Sequence, residues 1–203
     1  MRLGLDRLRL PTRKKTQRLP FPARPDLRIA GIGTIPIVFR YSRTFPADHW
    51  SDLPAYRPRI LVGSHLDLML LAGKRRANKL DLKSVDHAIF ATTRYGERPL
   101  QDDLRTVLWR TFGVPVYELF TGAGHELLAS ECEIHDGWHV ESGVAVSIAG
   151  EELIFARPRG SKLESGLAGE VTADRCACGR DGVRVGNVRP LGVPAKQPAL
   201  AVA

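Results

Sequence analysis

Three cysteines in 203 residues are too few for the disulfide framework of a secreted scaffold, and they read instead as thiols or metal ligands. Long apolar runs are missing too. The best, Ile60 to Gly73, is broken by His65 and Asp67 and falls short of the roughly 18 apolar residues that a membrane helix needs. Asp6, Arg7 and Arg9 interrupt any apolar segment near the start, so no secretory signal is legible and the expected compartment is the cytoplasm. Aromatic residues make up only 7% and do not interleave with the basic ones, as a stacking platform for single strands requires. Several catalytic signatures are absent. Gly31-x-Gly33 lacks the third glycine of a dinucleotide fingerprint, and no G-x-x-x-x-G-K-[ST] occurs. Gly63-Ser64-His65 does not meet G-x-S-x-G. His125-Glu126 opens like H-E-x-x-H, but Ala129 stands where the second histidine belongs.

What is present begins with an uneven charge. The net charge is +8, a value that suggests a nucleic-acid partner. Nine of the 30 basic residues but only two of the 22 acids lie in residues 1–28, so the rest of the chain is nearly neutral. The basicity belongs to a leader broken by Pro11, Pro20, Pro22 and Pro25, read as a solvated arm.

Beyond it, Gly31 and Gly33 punctuate the entry to an expected strand over Ile35–Arg40, and residues 43–58, with Pro46, Pro54 and Pro58, read as loop. A regular alternation follows. Arg59–Gly63 reads as a buried strand, and Ser64 caps a helix to about Arg76 with Leu66, Met69, Leu70 and Leu71 near a 3.6 period. His87–Thr92 is a second strand, Pro99 to Phe112 a helix stopped by Gly113, and Val114–Leu119 a third strand. This order predicts a parallel sheet with right-handed crossovers. After residue 126 the pattern changes to short pieces, Trp138–Glu141, Val144–Ile148 and Glu152–Ala156, which suggest a small mixed or antiparallel β region. The fold class is therefore α/β: a parallel sheet with flanking helices over residues 29–126, then a small β region over 127–190, with residues 1–28 a leader and 191–203 a frayed tail.

All three cysteines fall in the second region. Cys132 and His139 bracket a turn at Asp136-Gly137, and Cys176-x-Cys178 forms a knuckle at Gly179. A Cys₃His set suits tetrahedral zinc in a closed structural site. The competing reading is a buried cysteine, a satisfied strand histidine and an incidental C-x-C. His135, on the turn, is the reserve ligand.

The order of features from Tyr56 to Arg180 resembles the distal half of the adenylation domain of phenylacetate–CoA ligases, in the AMP-forming acyl-CoA synthetase superfamily and near the coenzyme F390 synthetases. Four stretches carry the resemblance: Tyr56-Arg57-Pro58 through Gly63-Ser64 to Leu68, Leu71 and Ala72; Gly96-Glu97-Arg98-Pro99-Leu100; Phe112-Gly113-Val114-Pro115-Val116-Tyr117-Glu118-Leu119-Phe120; and Glu131-Cys132 with Gly137 and His139, followed by Cys176-Ala177-Cys178-Gly179-Arg180. The resemblance implies zinc at Cys132, His139, Cys176 and Cys178. It also implies an acyl or aryl acid, or its adenylate, at the carboxyl ends of the strands near Gly96, Glu97, Tyr117 and Thr121, with ATP and Mg²⁺ as possible cofactors. The departures are specific. The phosphate-gripping loop has no counterpart, and Thr121 and Glu126 do not keep the family's Y-G-x-T-E spacing. Of the lid domain only Gly186–Pro190 echoes the start. These features predict a truncated ligase-like protein, incomplete as a ligase unless a partner chain supplies the lid. The alternative is a zinc-stabilised scaffold whose basic arm contacts an acidic partner or nucleic acid.

Overall fold

The computed structural model describes residues 27–33, 41–157, 160 and 162–193. The basic leader up to residue 26, the expected strand over Ile35–Arg40 and most of the tail lie outside them. Among the described residues, eleven strands form one sheet. β1 is Ile29–Ile32, β2 Ser42–Phe45, β3 Ile60–Ser64, β4 Ala88–Arg94 and β5 Val116–Thr121. All contacts among these five are parallel, in the order β2-β1-β3-β4-β5. β6 (Leu127–Glu131), β7 (Trp138–Val140), β8 (Ala145–Ala149), β9 (Glu152–Ala156), β10 (Lys162–Thr172) and β11 (Arg184–Pro190) continue the same sheet, antiparallel throughout, in the order β6-β7-β11-β10-β9-β8. The expected α/β class thus takes the form of a mixed sheet with few helices, and the second region extends the first sheet edge to edge.

The βαβαβ alternation follows the sequence closely. Ser64 caps α2 (His65–Arg76), accepting a hydrogen bond from the Asp67 amide at 3.1 Å. Gly113, in the left-handed region, ends α3 (Asp102–Phe112). The helical faces differ from the expected ones. Leu68, Leu71 and Ala72 are the buried residues of α2, while Leu66 and Leu70 are exposed. The second helix begins at Asp102 rather than Pro99, because Leu100 is committed to the core and its amide to a buried carboxylate. Leu108 and Phe112 of α3 share one apolar cluster with Leu68, Leu71 and Ala72 of α2, above Leu61, Ile89, Ala91 and Val116 of the sheet. Both helices therefore cover the same face. Tyr117, Leu119, Phe90 and Val62 belong to a second cluster that contains no residue of either helix.

Two expectations fail for local reasons. Residues 43–58 are not a loop: they hold most of β2, a 3₁₀ turn at Ala47–Asp52 and a short helix α1 at Leu53–Tyr56. Pro54 sits in the first turn of α1, where its missing N–H costs nothing, and Phe45, Trp50 and Leu53 are buried. Gly31 does not punctuate an entry but lies inside β1, where the backbone is fully buried.

Candidate functional site

Two constellations carry chemistry. The first is a cleft of about 560 Å³ at the carboxyl ends of the parallel strands, the position where open parallel sheets bind ligands. Its walls come from Gly33 after β1, Ser64 and the first turn of α2, Thr92 and Arg94 of β4, Glu97 and Arg98 in the following turn, and Thr121 at the end of β5. Gly33 makes room for it. Its φ is +75°, and a Cβ there would overlap the Asp67 carboxylate, which in turn accepts from the Ser64 hydroxyl at 2.7 Å. Arg94 and Glu97 face each other at 3.5 Å, and the Arg94 amide donates to the Glu97 carboxylate at 2.9 Å. Arg98 pairs with no acid among the described residues.

Of the ligand residues expected from sequence, Glu97 and Thr121 line this cleft. Gly96 sits at the tip of the Arg94–Glu97 turn with φ +79° and is not part of the lining. Tyr117 does not join them. It lies at the opposite end of β5 and is buried on the face away from the helices, stacked on Phe90 at 5.6 Å and on His135 at 5.1 Å. The physical reason is strand length: Tyr117 stands at the start of β5, four residues and about 13 Å along the strand axis from Thr121 at its carboxyl end.

Sequence reading missed the acid beneath the cleft. Glu118 is 3% exposed. Its carboxylate accepts from the Thr93 hydroxyl, from the Leu100 amide at 2.7 Å and from Trp138 Nε1 at 3.2 Å. Burial pushes it up to about 7, against the pull of those hydrogen bonds. Thr93 in turn meets His65 Nε2 at 3.0 Å, and His65 lines the cleft. Burial holds the His65 imidazole below its ordinary value. A second buried acid, Glu131, accepts from the Glu118 amide at 2.9 Å and from Arg105 in a two-pronged pair at 2.9 and 3.1 Å. His135 Nδ1 lies 3.0 Å from the Glu131 carboxylate.

The second constellation is a metal-ligand cluster. Cys132 follows β6, His139 lies in β7, and Cys176 and Cys178 lie in the turn from β10 to β11. The turn before β7 can approach β11 only because residue 137 is glycine: its φ is +78°, and a Cβ would run into the Val185 carbonyl. The four ligand atoms lie within 4.8 Å of one another. Cys132 Sγ and Cys176 Sγ are 3.8 Å apart, and Cys178 Sγ and His139 Nε2 3.4 Å. With metal–sulfur bonds of about 2.3 Å and metal–nitrogen bonds of about 2.0 Å, a tetrahedron has sulfur–sulfur edges of about 3.8 Å and sulfur–nitrogen edges of about 3.5 Å. The electrostatics agree. Burial, with Arg180 and Arg184 nearby, pushes His139 down to about 4, so the imidazole is neutral and its lone pair is available. Burial raises the Cys132 thiol. For Cys178 burial acts in the same sense, yet hydrogen bonds from Arg180 hold it below its ordinary value. These residues could hold a metal ion. His135 is turned away to Glu131 and Tyr117 and is not one of the four.

No protein-family model matches the chain, and no curated protein matches it in sequence. Solved structures do match. The chain is similar to 2-hydroxyisobutyryl-CoA ligase in complex with 2-HIB-AMP and CoA, with a TM-score of 0.60 and 13% identity over 80% of this chain and 43% of that one. It is similar to the anthranilate CoA ligase AuaEII in complex with anthranoyl-AMP (TM-score 0.54, 12% identity, 78% and 39% covered). It is also similar to coronafacic acid ligase from Pectobacterium brasiliense (TM-score 0.54, 12% identity, 83% and 40% covered). The chain shares its fold with part of each of these ligases. The chain spans less than half the length of these structures.

Proposed function

We propose that this chain is an adenylate-forming ligase-like domain whose cleft binds an acyl or aryl acid or its adenylate. The observation that carries the reading is the cleft at the carboxyl ends of β1, β3, β4 and β5, lined by Thr92, Arg94, Glu97, Arg98 and Thr121, in a fold shared with ligases crystallised with acyl-AMP. Glu97 and Thr121 offer acceptors and a hydroxyl to a nucleoside, and Arg98 offers a cation to a phosphate or carboxylate. Gly96, with its turn, shapes the rim. Tyr117 is left out of this site. Binding by itself is the proposed activity; ligation with ATP and Mg²⁺ would further need stabilisation of a transferring phosphoryl group.

Zinc at Cys132, His139, Cys176 and Cys178 completes the reading. The donor set, its edges and its neutral histidine suit that ion, which would tie the β6–β7 turn to the β10–β11 turn in a closed structural site. Calorimetric titration of the full chain with AMP, with ATP and Mg²⁺, and with a panel of aryl and acyl acids tests the cleft. Measurable binding of AMP or of an acid is expected, and binding of none of them would leave the scaffold reading instead. Metal analysis of purified protein should give close to one zinc per chain; less than half an equivalent would remove the metal.

A further inference from the structure

A buried carboxylate without a cation needs an explanation, and Glu118 touches none: its three partners are a hydroxyl, an amide and an indole N–H. All three donate. With Glu118 ionised, above the value of about 7 to which burial raises it, the Thr93 hydroxyl gives its one hydrogen to that carboxylate and can only accept from His65 at 3.0 Å, so His65 then carries its hydrogen on Nε2. Nδ1 then holds the free lone pair. Among the described residues it has no hydrogen-bond partner, and it is not among the buried atoms left without one, which leaves it accessible on a residue that lines the cleft. This is the logic of an oriented base: a buried acid fixes the tautomer through a third group, and the other nitrogen meets the ligand.

We propose that His65 is the proton-accepting group of the cleft, and that Thr93 and Glu118 are positioning residues that hold it ready to pair, as an imidazolium, with a bound oxyanion, either phosphate or carboxylate. The inference rests on the reading that the cleft binds such a ligand. When the oxyanion binds, one solvent proton adds to Nδ1 and an N–H bond forms at its lone pair. The charges then alternate along one line: ligand oxyanion, imidazolium, Thr93 hydroxyl, Glu118 carboxylate. The imidazolium is favoured from both ends, whereas in the free protein burial disfavours it. The groups facing His65 are Thr93 of β4, Glu97 after it and Arg105 of α3. Those facing Glu118, besides its three donors, are Glu131 of β6 and Arg105. Glu97 favours the imidazolium and Arg105 opposes it, and neither reaches the ring directly in the way Thr93 does.

The test has two arms on the full chain. Nitrogen NMR of the His65 ring in the free protein should show a single Nε2–H tautomer at about pH 8.5, where Glu118 is ionised, and Thr93→Val should release it to a mixture. A wild-type ring with its hydrogen on Nδ1 would overturn the relay whatever binds. In the second arm, calorimetry in buffers of different ionisation heat measures protons taken up with AMP and, separately, with benzoate, which distinguishes a phosphate from a carboxylate. Wild type should take up close to one proton per ligand at a pH between the His65 values of the free protein, held below the ordinary one, and of the complex, and affinity should weaken about tenfold per pH unit across that window. Glu118→Gln, which keeps an acceptor for Thr93 and Leu100, should lower the uptake below half, as should Thr93→Val; an unchanged amide spectrum confirms that each variant is folded. Binding with no proton uptake, or with uptake unchanged in both variants, would overturn the proposal while leaving the binding cleft intact. Absence of binding by both probes would sink the cleft reading, and the tautomer would still decide the relay.

Discussion

The two halves of the sheet share one hydrogen-bonded ladder but reach order by different means. In the parallel half, β3, β4 and β5 are buried almost end to end, with α2 and α3 packed over one face. Its stability is that of a conventional core, where each large aliphatic side chain contributes about 2–3 kcal/mol. In the antiparallel half no helix among the described residues covers the sheet. β8 is mostly exposed, and the apolar material is a small cluster around Phe120, Trp138, Phe155 and Val185. A sheet with so little cover gains from a cross-link between its turns, which a metal ion held by Cys132, His139, Cys176 and Cys178 would supply. The difference teaches where function can sit. The well-covered half can afford a strained, hollow rim with a buried acid beneath it, whereas the thin half spends its polar side chains on holding itself together.

The largest expected effect comes from breaking that asymmetry at the metal. Cys176→Ser, or chelation, should cost the antiparallel half at least about 3 kcal/mol, a fraction of the total that a structural zinc contributes. Hydrogen exchange should show protection lost in β7, β10 and β11 and retained in β3, β4 and β5; uniform loss, or no loss, would erase the distinction between the halves. Next is a pH effect centred on the seam between them, where Trp138 of β7 donates to Glu118 of β5. Glu118 titrates near 7 in the fold against about 4.5 in the open chain. The folded state therefore binds the extra proton between those values, and its contribution is complete below pH 4.5 and lost as pH rises through 7. That loss is about 3 kcal/mol. Denaturant midpoints measured from pH 4.5 to 7.5 should fall in wild type and fall less in Glu118→Gln. The smallest effect belongs to the surface of the parallel half. Arg59 pairs with Asp86 at 2.8 Å, with Asp86 about half exposed, and Arg59→Ala should shift stability by less than about 1 kcal/mol in a urea melt.

The parallel half was largely legible in the sequence, and the antiparallel half in part: the expected pieces Trp138–Glu141, Val144–Ile148 and Glu152–Ala156 fall on β7, β8 and β9, whereas β6, β10 and β11 were not read as strands. β3-α2-β4-α3-β5 announces itself because each element has a local signal: Ser64 as a cap, Gly113 as a stop, short apolar runs between. β10 is eleven residues long yet escaped notice, because Gly166 and Gly169 interrupt it, its charges do not alternate cleanly, and its register shifts within both of its ladders. Gly186–Pro190, read as an echo of a lid domain, lies in β11 against β10. In the sites, the metal cluster was readable because cysteine is scarce and its ligand chemistry narrow. The cleft was half readable: Glu97 and Thr121 stand at the carboxyl ends of strands, but Tyr117 was misplaced because a motif names neighbours in sequence and not the end of the strand at which each one stands. Glu118, Thr93 and His65 could not be found from the sequence, since their meeting depends on register between β4 and β5 and on a helix start 28 residues before Thr93.

The central claim, that the ligand site is the cleft at the carboxyl ends of the parallel strands, is tested most directly by mapping amide shifts on the full chain during titration with AMP. The expected result is a compact set of shifts at Ser64–Asp67, Thr92–Arg98 and Thr121, with β8 to β11 unmoved. Shifts centred instead on Tyr117 and His135, at the other end of β5, would contradict it.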